Sequence, residues 1–123
     1  MSALINENET IEVKIYVVTH DGNTDYHDSP LKEATDCEEM TFIFKRPAWG
    51  ETKEIMSQSV RLSDGKGEID PYRLMDARLK VLLRKWDLKS EDGKPIPVTP
   101  VNIGRLPAPL VEAINAVLGQ RLS

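Results

Sequence analysis

The longest helical pattern of the chain lies at residues 70–89, which read DPYRLMDARLKVLLRKWDLK. Asp70 is a favourable N-cap, and Pro71 occupies the first helical position, where its missing N–H costs nothing. At about 100° per residue, the large apolar side chains fill one broad arc, made of Tyr72, Met75, Leu79, Leu82, Leu83 and Trp86. This arc is wide enough to cover a core, so we predict that the helix organises the fold.

A second, narrower apolar arc runs along the same predicted helix. Its members, Leu74, Val81 and Leu88, are spaced by seven residues. An amphipathic surface helix needs only one apolar stripe, so this second arc needs a cover of its own. The cover is either another part of the chain or another polypeptide, including a second copy, because exposed contiguous apolar area marks interaction sites. Both alternatives remain open from the sequence.

The composition is that of one globular domain spanning residues 1–123. Apolar residues make up 40% of the chain and charged residues 29%, which suits a single modest core. The lone Cys37 excludes an internal disulfide and fits a reducing compartment. No apolar run approaches membrane-spanning length, and no signal pattern is seen. We predict that residues 1–9, which are polar and acidic, are flexible.

The charge is distributed unevenly along the chain. Residues 1–39 hold ten acidic and two basic residues, a net −8, whereas residues 40–123 hold ten acidic and fourteen basic, a net +4. The two parts should attract each other, within one chain or between copies. Arg78, Lys85 and Lys89 form a thin basic ridge on the predicted helix, but the net charge of −4 argues against a nucleic-acid partner.

Two segments show the period-two alternation of half-buried strands. In the first, at residues 11–17, one face carries Ile11, Val13, Ile15 and Val17. The second, at residues 40–45, places Met40, Phe42 and Phe44 on one face. We predict that the two strands pair antiparallel and that residues 19–39 form a long acidic loop between them.

Two further helices complete the predicted fold. One covers residues 48–58 after Pro47, and the other begins near Pro107 or Pro109 and stops at Gly119. Residues 62–68 read as a loop, and the proline-rich residues 95–107 as an extended strap on the core. The predicted class is α+β, in which a small N-terminal antiparallel β-hairpin packs on about three helices and the C-terminal half is mainly helical.

The sequence shows no convincing catalytic or metal site. His20 and His27 share a segment with Asp21, Asp25 and Asp28, residue types that bind divalent metals or transfer protons. Their spacing matches no recognised ligand pattern, and no nucleophile lies nearby. We therefore predict no enzyme activity, no metal and no cofactor. Trp49, at the predicted strand-to-helix junction, is either a packing residue or a partner contact.

Two stretches together resemble a known family. The first is FIFKRPAWGETKEI at residues 42–55, an alternating aromatic strand followed by a basic pair, a proline and a charged helix. The second, at residues 72–114, contains the helix DARLKVLLRKWDL, the turn EDGKP and the run PVTPVNIGRL before the closing helix. They are similar to the small tail assembly chaperones and related tail proteins of long-tailed bacteriophages.

The resemblance implies a non-enzymatic protein of the host bacterial cytoplasm. Such chaperones keep the tape-measure protein soluble while tail-tube subunits polymerise around it, so the implied partners are the tape-measure protein and the tail-tube protein. A structural tail, neck or baseplate component is the alternative. We expect helical client segments to meet exposed apolar side chains, as in helix-in-groove recognition, and the predicted partner-binding residues are Leu74, Val81, Leu88 and Trp49.

Overall fold

The computed structural model describes residues 3–30 and 37–122, which form a mixed α+β fold. Its strands are β1 (Thr10–His20), β2 (Asn23–His27), β3 (Cys37–Lys45), β4 (Val60–Ser63), β5 (Lys66–Ile69) and β6 (Leu83–Trp86). Its helices are α1 (Trp49–Ser59), α2 (Pro71–Leu82), α3 (Pro100–Ile103) and α4 (Ala108–Leu122). One antiparallel sheet has the order β2-β1-β3-β6, and β4 and β5 form a separate two-stranded sheet.

The centre of the larger sheet is the antiparallel pair of β1 and β3. Its register runs from Thr10 opposite Lys45 to Val18 opposite Cys37. The alternation predicted for β1 is confirmed, because the buried residues of that strand are Ile11, Val13, Ile15 and Val17. Phe42 and Phe44 of β3 lie fully buried on the same face. The sheet therefore has one apolar face, while its other face carries charged pairs such as Lys14 and Glu39, 3.2 Å apart.

The prediction of a long acidic loop at residues 19–39 is wrong for residues 19–30 and 37–39, which the structure describes. β1 continues to His20, turns through Asp21 and Gly22, and returns as β2 along its own outer edge. Both turn residues have positive φ, 49° and 80°, which gives the two-residue turn whose twist matches a β-hairpin. β3 already begins at Cys37, and residues 31–36 lie outside the described residues.

The helix predicted at residues 70–89 is also too long. α2 ends at Leu82, and Leu83 turns to φ −68° and ψ 126° before β6 pairs with β3. The Trp86 ring stands edge-on to Phe42 with centroids 6.5 Å apart, and its Nε1 donates a hydrogen bond to the carbonyl oxygen of Ile96 at 2.6 Å. Pairing with β3 and burial of this ring outweigh the local helical pattern, which carries no Gly or Pro to mark the change.

Helices cover the apolar face of the sheet. α4 packs against β1 and β2, and α2 packs against both α4 and α1, which gives the two-layer arrangement of α+β domains. α4 continues through Gly119, where the sequence predicted a stop, to Leu122. The proline-rich segment crosses beside Trp86. The short α3 within it is capped by Thr99, whose side chain accepts a hydrogen bond from the Asn102 N–H.

Candidate functional site

α1 is fixed to the end of β3 by an ion pair. The Lys45 ammonium donates a hydrogen bond to the Glu51 carboxylate in the first turn of α1. This contact lowers the pKa of the Glu51 carboxyl below its ordinary value of 4.5. A carboxylate near a helix N-terminus is also favoured by the helix dipole. The ion pair therefore links the first turn of α1 to the end of β3.

Glu51→Gln is expected to lower stability at neutral pH and to lose this effect in acid. A depressed folded-state pKa contributes stability that is fully present above the unfolded-state value and is lost as pH falls through the folded-state value. The gap between the wild-type and Glu51→Gln unfolding free energies should therefore narrow below about pH 4.5. Urea unfolding of both proteins between pH 7 and pH 3 measures this difference in unfolding free energy. Glu54→Gln removes a carboxylate from the same helix without touching Lys45, and a gap independent of pH would contradict the assignment.

A β-hairpin is inserted between α1 and α2, where the sequence predicted a loop at residues 62–68. β4 and β5 pair from Val60 opposite Ile69 to Ser63 opposite Lys66, around a turn with φ 52° at Asp64 and 76° at Gly65. The Asp-Gly pair between two short runs was the available signal. Within the described residues no other strand pairs with this hairpin, so it projects from the helical layer.

Hydrogen bonds hold the base of the hairpin, at Ser59 and Asp70. The Asp70 N–H donates to the Ser59 carbonyl oxygen at 2.8 Å, which closes the base. The Asp70 carboxylate then accepts from the N–H groups of Tyr72 and Arg73 and caps α2. The buried Ser59 hydroxyl donates to the Ile55 carbonyl oxygen at 2.6 Å. Two helix ends and the hairpin base thus share one set of hydrogen bonds.

One face of the hairpin is apolar and exposed. Directly opposed residues of an antiparallel pair share a face, so Val60, Ile69 and Leu62 point the same way, with Gly67 opposite Leu62. All three apolar side chains are exposed, Leu62 to 78%. A two-stranded hairpin is marginal on its own in water. An apolar face without a cover is therefore a surface that another chain can bury.

Further exposed apolar residues lie in α1 and in the first turn of α2, the elements that precede and follow the hairpin in the chain. Trp49 and Met56 lie seven residues apart on one side of α1, and Trp49 is 75% exposed. Of nine large apolar side chains exposed within the described residues, six belong to this part of the chain. We call these six the apolar arm: Trp49, Met56, Val60, Leu62, Ile69 and Tyr72. Of these six residues, the sequence predicted only Trp49 as a partner contact.

The other three predicted partner-binding residues do not form one strip. Leu74, Val81 and Leu88 are all half-buried and pack against the core cluster. Leu88 does not belong to the helix at all, because α2 ends six residues earlier. The seven-residue spacing placed it beside Val81 only under the assumption of a continuous helix. Their role in partner binding stays a prediction, whereas Trp49 lies on the exposed surface that the structure shows.

The two histidines lie at different places in the β1–β2 hairpin. His20 is opposite Asn23 next to the turn, and His27 is opposite Tyr16, four residue pairs farther along. Four pairs span about 13 Å at roughly 3.3 Å per residue. His20 lies against the exposed Asp21 carboxylate, with 3.2 Å between Nε2 and Oδ2. The geometry therefore separates the residues that the sequence placed in one cluster.

The described residues contain neither a metal-binding cluster nor a membrane-spanning helix. Across residues 3–30 and 37–122, no group of three or more His, Cys, Asp or Glu side chains is placed to hold a metal ion. None of the helices in that part of the chain has the length and apolar run that crossing a bilayer requires. No family model, curated protein or solved structure matches the chain.

Proposed function

We propose that this chain is a tail assembly chaperone of a long-tailed bacteriophage and acts in the host cytoplasm without enzymatic chemistry. Its client is the tape-measure protein, which it keeps soluble while the tail-tube protein assembles. The proposal joins the sequence resemblance at residues 42–55 and 72–114 to the surface described above. A chaperone of this kind needs an exposed apolar surface that a client binds reversibly.

The observation that carries the proposal is the apolar arm. Its side chains belong to α1, to the exposed face of the hairpin and to the first turn of α2, three successive elements of the chain, and we propose that they act as one binding surface. α1 alone is about 16 Å long at 1.5 Å per residue. A long helical client can lay an apolar stripe along such a surface, as amphipathic helices do in apolar grooves. Burial of Leu62 alone would contribute about 1.5–3 kcal/mol to binding.

Leu62→Asp and Trp49→Asp are expected to abolish protection of the client. An aspartate in a buried apolar contact leaves a carboxylate without a partner, and losing about 1.5–3 kcal/mol weakens binding by roughly ten- to a hundredfold. The measurement is the soluble fraction of a tape-measure fragment that is co-expressed with each variant. These positions are exposed, so the variants should unfold at the same urea concentration as the wild type.

Val101→Asp is the matched control, because Val101 is 74% exposed but lies on α3, outside the apolar arm. It should protect the client as well as the wild type does. Client solubility that is equal with Leu62→Asp, Trp49→Asp and the wild type would contradict the proposal. Leu74→Asp and Val81→Asp are poorer probes, because both side chains also pack against the core.

A structural tail, neck or baseplate component is the second candidate. It is favoured by the outer edges of β4 and β5, which no strand of the described residues covers, because open strand edges pair with strands of other chains. A structural component should form rings or stacks and remain in purified particles. A chaperone should stay in dynamic exchange with its client and be absent from the finished particle.

A further inference from the structure

A groove of about 330 Å³ opens between α1, α2 and the end of α4, and it shares Met56 with the apolar arm. Its apolar wall is formed by Pro47, Ile55, Met56, Leu74 and Leu122. Two arginines, Arg46 and Arg78, also line it. An apolar groove that contains two cationic side chains suits a ligand that presents an apolar side chain together with carboxylates.

The two arginines differ in their partners. Arg46 forms an ion pair with Glu9, with 3.4 Å between Nε and Oε2. The Arg78 guanidinium forms no ion pair or hydrogen bond within the described residues. It lies beside the last turn of α4, where a Cβ on Gly119 would stand 3.7 Å from Nη1. The partial negative charge of a helix C-terminus favours a cation there, but the N–H donors remain available to a carboxylate.

The N-terminal segment, residues 3–9, already lies against this groove. Ile5 lines it and is 40% exposed. Glu9 supplies both the carboxylate for Arg46 and a carbonyl oxygen that accepts from the Arg46 N–H at 2.9 Å. A turn between them is held by the Glu9 N–H donating to the Asn6 carbonyl oxygen at 3.0 Å. At the groove the segment thus places the Ile5 side chain and the Glu9 carboxylate, and neither forms an ion pair or hydrogen bond with Arg78.

We propose that the groove is a second binding site, which takes a short acidic segment of a partner protein, and that residues 3–9 occupy it incompletely in the free chain. A partner segment that presents a branched apolar side chain and two carboxylates would fill the apolar wall and pair with both arginines. It would displace the N-terminal segment, which satisfies only one. The inference rests on the groove and its charges and does not require a tape-measure client. The flexibility predicted for residues 1–9 stays a prediction.

The test uses the full chain and two synthetic peptides of equal apolar content, acidic EELIEELLEE and basic KKLIKKLLKK. Ile5→Ser removes the apolar anchor of the N-terminal segment without adding a charge and should free the groove. A tethered competitor acts at an effective concentration of about millimolar, so the acidic peptide should bind Ile5→Ser about tenfold more tightly than it binds the wild type. Adding Arg78→Met to Ile5→Ser should weaken the binding of the acidic peptide by about tenfold. Val101→Ser, at a 74% exposed side chain that does not line the groove, should behave as the wild type.

Binding is measured by NMR titration, which also reports whether the amides of Ile55 and Leu74 shift. Equal affinity of the acidic peptide for the wild type and for Ile5→Ser would overturn the proposal. Equal binding of the acidic and basic peptides, or an affinity for the acidic peptide that Arg78→Met does not change, would overturn it as well. If Ile5→Ser forms concentration-dependent dimers, the occupant is a second copy and the partner proposal fails. Ile5→Ala is the milder variant, should Ile5→Ser perturb folding.

Discussion

Phe42→Ala is expected to cost about 3–5 kcal/mol of folding free energy. Phe42 is fully buried in β3, opposite Val13 of β1 and Trp86 of β6, and its ring meets the Trp86 ring edge-on. Its removal leaves a cavity at the junction of three strands and also loses the aromatic pair. Since domains of this size are stable by about 5–15 kcal/mol, the variant should be close to unfolding at room temperature. Urea titration followed by far-UV circular dichroism measures the loss.

Ile43→Ala provides the matched control for this experiment. Ile43 is the next residue of β3, but its side chain points to the other face of the sheet and is only half-buried. Its loss should cost less than half of the Phe42→Ala effect, because less apolar area is exposed and no closed cavity forms. Equal costs for the two variants would show that the helices do not cover the face of the sheet assigned here.

Asn115→Leu is expected to raise the free energy of unfolding by about 1–2 kcal/mol. Asn115 is 6% exposed in α4; its Nδ2 donates to the Val111 carbonyl oxygen at 3.0 Å, while Oδ1 has no hydrogen-bond partner within the described residues. A buried acceptor without a donor costs roughly 1–3 kcal/mol, and leucine has the same branching at Cγ and a better helix propensity. Thermal and urea unfolding both measure the gain.

Asn115→Asp is the opposing variant, because it keeps the shape of the side chain but buries a carboxylate. It should lower stability by more than Asn115→Leu raises it, since an unpaired buried charge costs more than an unpaired amide. If Asn115→Leu proves less stable than the wild type, the Oδ1 atom has a partner such as a bound water, and the cost assigned to it is wrong.

The strands and helices with a strong local pattern were predictable. Alternation at residues 11–17 and 40–45 is enough to assign β1 and β3, because one face of each is fully buried. Proline and apolar spacing place α1 within one residue of the predicted 48–58. These elements follow from short-range periodicity, which the fold as a whole does not override.

The elements that depend on distant partners were not predictable in the same way. β6 continues the apolar spacing of α2, and only its pairing with β3, about forty residues away, makes it a strand. β2 and the strands of the β4–β5 hairpin are short, and from the sequence alone Asp21-Gly22 predicts the end of a strand and Asp64-Gly65 a position within a loop, rather than hairpin turns. This affects the candidate site, because a continuous helix to residue 89 places Leu88 beside Val81, whereas the exposed Leu62 falls in the loop predicted at residues 62–68.

The inserted hairpin also makes the molecule modular. Its ten residues are joined to the rest of the fold at a closed base, where the Asp70 N–H meets the Ser59 carbonyl oxygen, and nothing in the core depends on its tip. A foreign hairpin of equal register could be grafted between Ser59 and Asp70 without repacking the sheet. Exchanging this hairpin would change the exposed apolar side chains that it carries while the sheet and helices stay the same.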